Sequence, residues 1–379
     1  MELINLNILI ISPESWGICF VSKHHYAIEL TKRGNKVFFL NPPKSTETDF
    51  EVKPVFGYNN LFEINYPLSL RGLNRLPFIL TDFFSGFIVR KILRATTKLD
   101  IVWSFDPYRF QNLDIFRAKK KIYCSADPII IHKQKMLGKK ADIIITYSNM
   151  FSEKLSKFLE KNVYNIGHGV SGKFFERCNV KNELELPGKN TFKVGYVGNL
   201  NYKYLDKQIL LNIITCHQNI DFIFLGPYEK SNLSHVKTTE DTNYIKQLTE
   251  RKNVFLLGPK TLLDVKYYLH HFDLLLLCYK GYVDRIFTAN NHKLLEYLSS
   301  GKTIVSHYVD EYKNRGDLLQ MADINGDLSQ VFSKSVENIE SLNSEENRIK
   351  RITFAKAHVY DRQLKKIEKL LINSTESKN

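Results

Sequence analysis

A chain of 379 residues is long enough for two domains. Its composition, 43% hydrophobic and 12% aromatic, can fill large cores and excludes a disordered chain. The net charge of +14 is concentrated in the first half, because residues 1–180 hold 26 of the 54 basic side chains and 16 of the 40 acidic ones. This excess favours a polyanionic partner, either nucleic acid, an anionic membrane or a phosphorylated substrate, with a solvated basic surface as the alternative.

The first half of the sequence predicts strands that alternate with helices. Short apolar runs predict strands at 7–11, 36–40, 100–104, 121–125, 142–147 and 163–166. Helices are expected at 23–32, before Gly34, and at 151–159. This alternation is typical of a doubly wound parallel sheet.

The pattern restarts after a polar segment that contains Pro187 and Gly188. Further strands are predicted at 192–197, 221–225, 253–257, 273–278 and 303–306, and helices at 204–216, 262–271 and 345–372. We therefore predict a first domain at 1–178, a linker at 179–191, a second domain at 192–344 and a helix at 345–379 that returns to the first domain.

Residues 61–98 depart from this pattern because aromatic and basic residues dominate them. They comprise Phe78, Phe83, Phe84 and Phe87 beside Arg71, Arg75, Arg90, Lys91 and Arg94. A helix with one apolar and one basic face can lie in a membrane interface, and an ordinary amphipathic helix packed on the sheet is the alternative. A nucleic-acid site is disfavoured, because no recognisable binding motif accompanies the basic residues.

The cysteines and the N-terminus predict a cytoplasmic protein. The cysteines are odd in number and form no C-x-x-C pair: Cys19, Cys124, Cys178, Cys216 and Cys278. The apolar run at 6–11 is too short for a signal peptide, and no run reaches the 18 apolar residues of a membrane span. Together with residues 61–98, this predicts a peripheral position on the inner face of the cytoplasmic membrane.

The clearest candidate binding site is the stretch FTANNHKLLEYLSSGKTIVS. Asn290 and Asn291 are suited to cap a helix that ends at Gly301 and is followed by a strand. Lys293 in the first turn predicts a phosphate site at the helix N-terminus. Glu296, one turn further, could accept hydrogen bonds from two neighbouring hydroxyls, as a ribose presents them.

Several other chemistries are disfavoured by the motifs. The S-G-K-T sequence resembles the end of a phosphate-binding P-loop, but position 296 is Glu instead of Gly and the motif closes a helix. No G-x-S-x-G or C-x-x-C motif is present, and no G-x-G-x-x-G motif opens either predicted domain, which disfavours a serine hydrolase, a zinc site and a standard nicotinamide dehydrogenase. No D-x-D motif is present either, so the sequence gives no support to a metal site.

Four segments follow one another in the order and spacing of GT-B glycosyltransferases. They are GYVGNLNYKYLD (195–206), FIFLGP (222–227), NVFLLGPK (253–260) and NNHKLLEYLSSGK (290–302). VWSFDP and YCSAD agree in the first half, and AKAHVYDR resembles the closing helix. Over nearly its whole length, the chain resembles the group-1 glycosyltransferases of bacterial teichuronic acid, capsule and O-antigen assembly. The resemblance implies two Rossmann-like α/β domains that face a central cleft, with a C-terminal helix that crosses back to the first.

The resemblance also implies substrates and residue roles. A UDP- or GDP-linked sugar would be held mainly by the second domain and an acceptor by the first, with no cofactor. The implied nucleotide-sugar residues are Gly198, Asn199, Lys203, Arg285, Asn290, Asn291, His292, Lys293, Leu294 and Glu296. Among them Glu296 would bind the ribose and Lys293 the pyrophosphate, whereas Lys203 and Arg285 are equally well explained as surface charges. Trp16, Gly17 and His168 are implied on the acceptor side.

The mechanism follows from the same resemblance. Most members retain the anomeric configuration without an obvious protein nucleophile, and the leaving phosphate helps to deprotonate the acceptor. An inverting enzyme would need a general base on the first domain. Asp127 is the first candidate, His24 the second and His168 the third, with a capping or core-edge role as the alternative for each histidine.

Two departures from the pattern leave the donor sugar open. Many relatives carry a glutamate eight residues before the one matched by Glu296, and here that position is Thr288. Close relatives often have proline where this chain has Asn291. We predict a hexosyltransferase with a lipid-linked saccharide acceptor in bacterial surface polysaccharide synthesis. A soluble acceptor is one alternative, and a non-catalytic sugar-nucleotide or glycan-binding module on the same fold is the other.

Overall fold

The computed structural model describes residues 1–17, 20–68, 78–96, 98–132, 134–176, 185–228 and 239–376. The chain forms two compact units, one of Met1–Gly167 with Tyr360–Asn379 and the other of His168–Val359. Cys19, Cys178, Arg71 and Arg75 lie outside the described residues, as do the side chains of Phe78, Phe83 and Phe84.

The boundaries of the units differ from the predicted 178 and 344. Val170 forms a bridge with Val359 and Phe174 packs in the core of the second unit, so the chain enters this unit at His168. The predicted helix at 345–372 is two helices, because the chain turns at 357–359 between them. The first helix of the pair packs in the second unit, and only the second returns to the first unit.

The elements of the first unit begin and end as follows. They are β1 (Asn7–Ile11), α1 (Ser22–Lys32), β2 (Lys36–Leu40), β3 (Glu51–Pro54), β4 (Leu61–Asn65), α2 (Phe78–Thr96), β5 (Ile101–Ser104), β6 (Lys120–Cys124), α3 (Gln134–Lys140), β7 (Ile143–Thr146), α4 (Asn149–Leu159), β8 (Tyr164–Asn165) and α13 (Tyr360–Glu376). The sheet order is β3-β4-β2-β1-β5-β6-β7-β8, and the pairing is parallel except between β3 and β4. The strand order reverses between β1 and β5, where a doubly wound sheet usually binds ligands.

The C-terminal helix α13 completes the core of the first unit. Tyr360, Leu364, Ile367 and Leu371 recur at helical spacing and are buried in that core. The Arg33 guanidinium, at the end of α1, donates to the Asp361 carboxylate at 2.7 Å and to Glu368 at 3.0 Å. The apolar stripe and these ion pairs explain why this helix belongs to the first unit.

The second unit holds the remaining elements. They are β9 (Phe192–Val197), α5 (Lys207–Cys216), β10 (Ile220–Leu225), α6 (Thr239–Thr249), β11 (Val254–Leu256), α7 (Leu262–His271), β12 (Leu274–Leu277), α8 (Arg285–Thr288), α9 (His292–Ser300), β13 (Thr303–Ser306), β14 (Gln320–Met321), α10 (Leu328–Glu337), α11 (Ile339–Leu342) and α12 (Glu345–Lys356). The sheet order is β11-β10-β9-β12-β13-β14, and all pairs are parallel. The order reverses between β9 and β12, so the expected ligand crevice lies at the carboxyl ends of these strands.

Residues 61–98 are more regular than the sequence indicated. Leu61–Asn65 is a strand that pairs in parallel with β2, and α2 follows the residues that are not described. Val89 and Ile92 of α2 are buried, so one face of this helix packs on the unit. No helix in the described ranges is long and apolar enough to cross a membrane.

Candidate functional site

Helix α9 has the local structure that its sequence predicts. The Asn291 carboxamide oxygen accepts a hydrogen bond from the Lys293 backbone N–H at 3.0 Å, and Gly301 ends the helix with a φ of 75°. Leu294 is fully buried, so a ligand could contact this residue only through its backbone. Because α9 follows the carboxyl end of β12, its N-terminus lies at the edge of the sheet where ligands are expected.

Two glycine loops approach each other beside this helix. Gly198 follows β9 and Gly226 follows β10, and the Gly198 N–H donates to the Leu225 carbonyl at 2.8 Å. A Cβ on Gly226 would lie 2.2 Å from the Gly198 carbonyl oxygen, so only glycine fits there. A Cβ on Gly198 would lie 3.1 Å from Lys293 Cε. The glycine loop and the first turn of α9 therefore converge.

Tyr297 fixes α9 to the loop and was missed by the sequence analysis. Its side chain is fully buried, and its hydroxyl accepts a hydrogen bond from the Val197 N–H at 2.7 Å. The tyrosine thereby satisfies the backbone at the residue before Gly198 and holds the helix against the end of β9. A tyrosine among helical leucines gives no sequence signal for this role, because the contact is between residues far apart in the chain.

Helix α9 carries two charged side chains near its start, Lys293 and Glu296. Within the described ranges, Lys293 makes no ion pair, and the Glu296 carboxylate accepts no hydrogen bond and makes no ion pair. Burial raises the pKa of Glu296 to about 7, and the charge of Lys293 opposes this effect. A partly buried carboxylate without hydrogen-bond donors is destabilised, and hydroxyl groups of a ligand would relieve this cost.

His168 lies at this helix and not in the first unit. Its ring centroid is 5.9 Å from that of His292, in an edge-to-face arrangement. Burial and, second, the charge of Lys293 lower the pKa of His168 to about 3. The structure therefore places His168 in the second unit, beside the predicted nucleotide-sugar residues, and its acceptor role stays a prediction.

Three other predicted nucleotide-sugar residues contact neighbouring protein groups. The Lys203 ammonium lies 4.6 Å from the centre of the Tyr204 ring and 4.9 Å from that of Phe287. The Arg285 guanidinium pairs with Asp310 at 3.0 Å. Asn199 accepts a hydrogen bond from the backbone of the second residue after it at 2.9 Å. The surface-charge alternative for Lys203 and Arg285 agrees with these contacts, and their ligand roles stay predictions.

Thr288 lies eight residues before Glu296. Its side chain is buried and its hydroxyl donates to the Asp284 carbonyl at 3.0 Å. The carboxylate of Asp284 in turn caps the short helix α8. Thr288 therefore stabilises the end of this short helix, and its side chain has no carboxylate that could bind a sugar.

At the carboxyl edge of the first sheet, Arg109 connects the ends of three strands. Its guanidinium donates to the Asp106 carboxylate at 2.5 Å, to the Asn41 carbonyl at 3.0 Å and to the Ser12 carbonyl. The Asn41 carboxamide oxygen also accepts from the Trp16 N–H at 2.8 Å. These bonds fix the loop of the predicted acceptor residues Trp16 and Gly17 on the strand ends.

His24, the second candidate base, lies in the core of this unit. Its Nδ1 accepts from the Val21 N–H at 3.1 Å, and its Nε2 lies 3.3 Å from the Ser15 carbonyl oxygen. The ring packs against Trp16 and Phe39, and burial lowers its pKa to about 4. Because both ring nitrogens are occupied, this environment favours the capping role that was the alternative.

Asp127, the first candidate base, is exposed at the same edge, after the end of β6. Beside it is Lys23, which is 5% exposed and pairs with Glu14. Burial lowers the pKa of Lys23 to about 8, and the charges of Asp127 and Asp106 oppose this effect. The sequence analysis missed Lys23, although a lysine in the first turn of a helix, where the dipole disfavours it, is a usable signal.

The exposed side of α2 is basic. Arg90, Lys91 and Arg94 are exposed, and Phe87 is exposed to 55% with the Arg90 guanidinium over its ring. We call Arg90, Lys91 and Arg94 the α2 basic face.

In the part of the chain that the structure describes, no group of three or more His, Cys, Asp or Glu side chains could hold a metal ion.

Comparison with known proteins identifies the fold. No protein-family model matches the sequence, and no curated protein is similar to it. Sucrose-phosphate synthase from Thermosynechococcus elongatus superposes with a TM-score of 0.70 at 11% identity, over 98% of this chain and 99% of that one. HepE from Anabaena, in complex with UDP and glucose, gives 0.67 at 13% identity, over 97% and 99%. A UDP-forming trehalose-phosphate synthase from Burkholderia xenovorans gives 0.68 at 11% identity, over 98% and 99%.

These similar structures are glycosyltransferases of GT-B fold, and they match nearly the whole chain. The chain therefore has the GT-B fold, with a mainly parallel sheet in the first unit and a parallel sheet in the second, which confirms the predicted fold class.

Proposed function

We propose that this protein is a glycosyltransferase that moves a sugar from a nucleotide diphosphate sugar to a saccharide acceptor. The observation that carries the proposal is the pair of charged side chains on α9, Lys293 and Glu296. They make no ion pair within the described ranges, and Lys293 lies beside the Gly198 loop. A cation next to backbone N–H groups suits a diphosphate, and a carboxylate one turn away suits vicinal hydroxyls. The UDP and glucose bound by the similar HepE support this assignment.

The donor would lie across the carboxyl edge of the second sheet. Glu296 would accept hydrogen bonds from the ribose hydroxyls, and binding would favour its ionised form. Lys293 and the first N–H groups of α9 would contact the diphosphate, and Gly198 would let its oxygens approach the backbone. The same groups would stabilise the negative charge that develops on the diphosphate as the glycosyl bond breaks.

The reaction transfers the anomeric carbon from a phosphate oxygen to an acceptor hydroxyl oxygen. We propose retention, in which the hydroxyl attacks from the side of the leaving group and its proton passes to the departing phosphate oxygen. In an inverting reaction, the proton would pass to Asp127, because this carboxylate is exposed at the edge of the first sheet. No protein nucleophile or metal ion has a role in the proposed mechanism.

The proposed acceptor is a lipid-linked saccharide in bacterial surface polysaccharide synthesis, such as that of teichuronic acid, capsule or O-antigen, and the proposed donor sugar is a hexose. The basic first half of the sequence and the α2 basic face support this proposal, because a pyrophosphate-linked lipid lies in an anionic membrane. The protein would then act at the cytoplasmic surface of that membrane.

Turnover separates an enzyme from a binding module. Wild-type protein and the variants Glu296→Ala and Glu340→Ala would be incubated with UDP- and GDP-hexoses and membrane lipid extract, and release of UDP or GDP would be measured. We expect extract-dependent release that Glu296→Ala abolishes and that Glu340→Ala, on the exposed helix α11, leaves unchanged. Binding of a nucleotide sugar without any release would contradict the proposal and support the non-catalytic alternative.

A further inference from the structure

His168 reaches the start of α9 from a different part of the second unit. It is the first residue of this unit, and the Val170 N–H donates to the His358 carbonyl at 3.0 Å, which anchors the segment behind it. The imidazole then lies edge-to-face against His292, with ring centroids 5.9 Å apart. Since His292 precedes Lys293, the segment at His168 and the first turn of α9 bring three nitrogen-bearing side chains together.

The charge balance of this cluster suits an anion. Lys293 is positively charged, and within the described part of the chain no carboxylate pairs with it. Burial and, second, the charge of Lys293 lower the pKa of His168 to about 3, so its imidazole is neutral at physiological pH. A neutral imidazole carries one N–H donor, and it adds that donor beside Lys293 without a second positive charge.

Glycine lets the cluster lie against the loop after β9. A Cβ at Gly198 would lie within 3.1 Å of both Lys293 Cε and the Tyr196 hydroxyl oxygen. Because Gly198 has no Cβ, the Lys293 side chain can pack directly against the backbone of this loop. Gly226 approaches Gly198 from the neighbouring strand end, so two loops without side chains adjoin the cluster.

We infer that His168 contacts the diphosphate of the nucleotide and donates its imidazole N–H to a phosphate oxygen, while Lys293 supplies the charge. This inference rests on the proposed function, because it assumes a donor nucleotide at α9. It gives His168 a role in holding the leaving group in place of the acceptor role that the resemblance implied. His292 acts as a positioning residue that orients the His168 ring through their edge-to-face contact.

The test compares ligands with and without phosphate. UDP and GDP would be titrated calorimetrically into the wild type, His168→Ala, His168→Gln and the control His271→Ala, whose side chain is exposed at the end of α7. Uridine and guanosine would be compared by competition with the bound diphosphate. We expect His168→Ala to lower diphosphate affinity about tenfold, the effect of one hydrogen bond to a charged group, and to leave nucleoside affinity unchanged.

The glutamine variant and a spectroscopic measurement separate contact from folding. His168→Gln keeps an N–H donor and should recover most of the affinity. In wild-type protein with ¹⁵N-labelled histidine, UDP or GDP should shift one imidazole N–H resonance that His168→Gln lacks. This second readout does not depend on whether His168→Ala folds.

The possible failures are distinguishable. If the wild type binds neither UDP nor GDP, the proposed function fails and this inference fails with it. If the wild type binds one of them and His168→Ala binds it equally well, the inference alone is wrong. Equal losses for the diphosphate and its nucleoside would likewise overturn the inference, because they would indicate a purely structural role.

Discussion

Replacement of Glu296 by glutamine should stabilise the ligand-free protein at alkaline pH. The carboxylate is partly buried and accepts no hydrogen bond from the described residues, and burial raises its pKa from 4.5 to about 7. Because the folded-state pKa is the higher one, the unfolded state binds fewer protons between these values, and stability falls as the pH rises from 4.5 to 7. Glutamine keeps the shape of the side chain without a charge.

The size of the effect follows from the pKa. A rise from 4.5 to about 7 corresponds to about 3 kcal/mol above pH 7, and partial exposure of the carboxylate reduces this to about 2 kcal/mol. For a unit of this size, that is a rise in Tm of roughly 4–8 °C. The advantage of Glu296→Gln should shrink as the pH is lowered and disappear below pH 4.5, where Glu296 becomes protonated in both states.

Thermal unfolding of wild type and Glu296→Gln at pH 8 and pH 5 measures this difference. The same variant should bind nucleoside diphosphates more weakly, because a carboxamide accepts hydrogen bonds from hydroxyls less strongly than a carboxylate. A variant that is equally or less stable than wild type at pH 8 would refute the reasoning, since it would mean that the ionised carboxylate is already stabilised in the free protein.

Three further predictions follow from other parts of the fold. Gly226→Ala should lower the free energy of unfolding, measured in urea, by about 2–4 kcal/mol, because its Cβ would lie 2.2 Å from the Gly198 carbonyl oxygen. The control Gly57→Ala is also at positive φ, but no atom lies within 4 Å of its Cβ, so it should lower this free energy less. Equal losses for the two variants would rule out the clash. Arg33→Ala should lower the free energy of unfolding by about 1–2 kcal/mol, because it removes the ion pair with Asp361. The same substitution should make α13 more susceptible to limited proteolysis, and unchanged proteolysis would contradict the packing of α13 on the first unit. Wild-type protein should sediment with anionic vesicles at low salt, and replacing the α2 basic face by glutamine should abolish this sedimentation. Undiminished sedimentation of the variant would contradict the role of the α2 basic face, and a wild type that does not sediment would contradict membrane association.

The parts of the fold that depend on local sequence could be predicted closely. The helix α9 has its asparagine cap and its glycine end, and the strands Asn7–Ile11 and Phe192–Val197 have the predicted bounds. These features are set by neighbouring residues, through capping hydrogen bonds and through short apolar runs buried on both faces of a parallel sheet. The alternation of strands and helices predicted two doubly wound α/β domains, and the resemblance to glycosyltransferases implied the GT-B fold.

Features that depend on distant residues could not be predicted in the same way. His168 belongs to the second unit because Val170 pairs with Val359, a contact that no local pattern encodes. Lys23 lies in the first turn of a helix, where the dipole disfavours a lysine, but this local signal does not reveal its burial or its ion pair with Glu14 across a loop. Residues of this kind require the packed structure, since their environment is assembled from separate segments of the chain.

Calorimetric titration of UDP and GDP into wild type, Glu296→Ala and Lys293→Ala tests the central claim most directly, that a nucleotide diphosphate binds at the start of α9. The account predicts that the wild type binds one of the two nucleotides and that each substitution lowers the affinity at least tenfold. Glu340→Ala serves as the control and should bind like the wild type. If neither nucleotide binds the wild type, or if both α9 variants bind with unchanged affinity, the donor site is not where we place it.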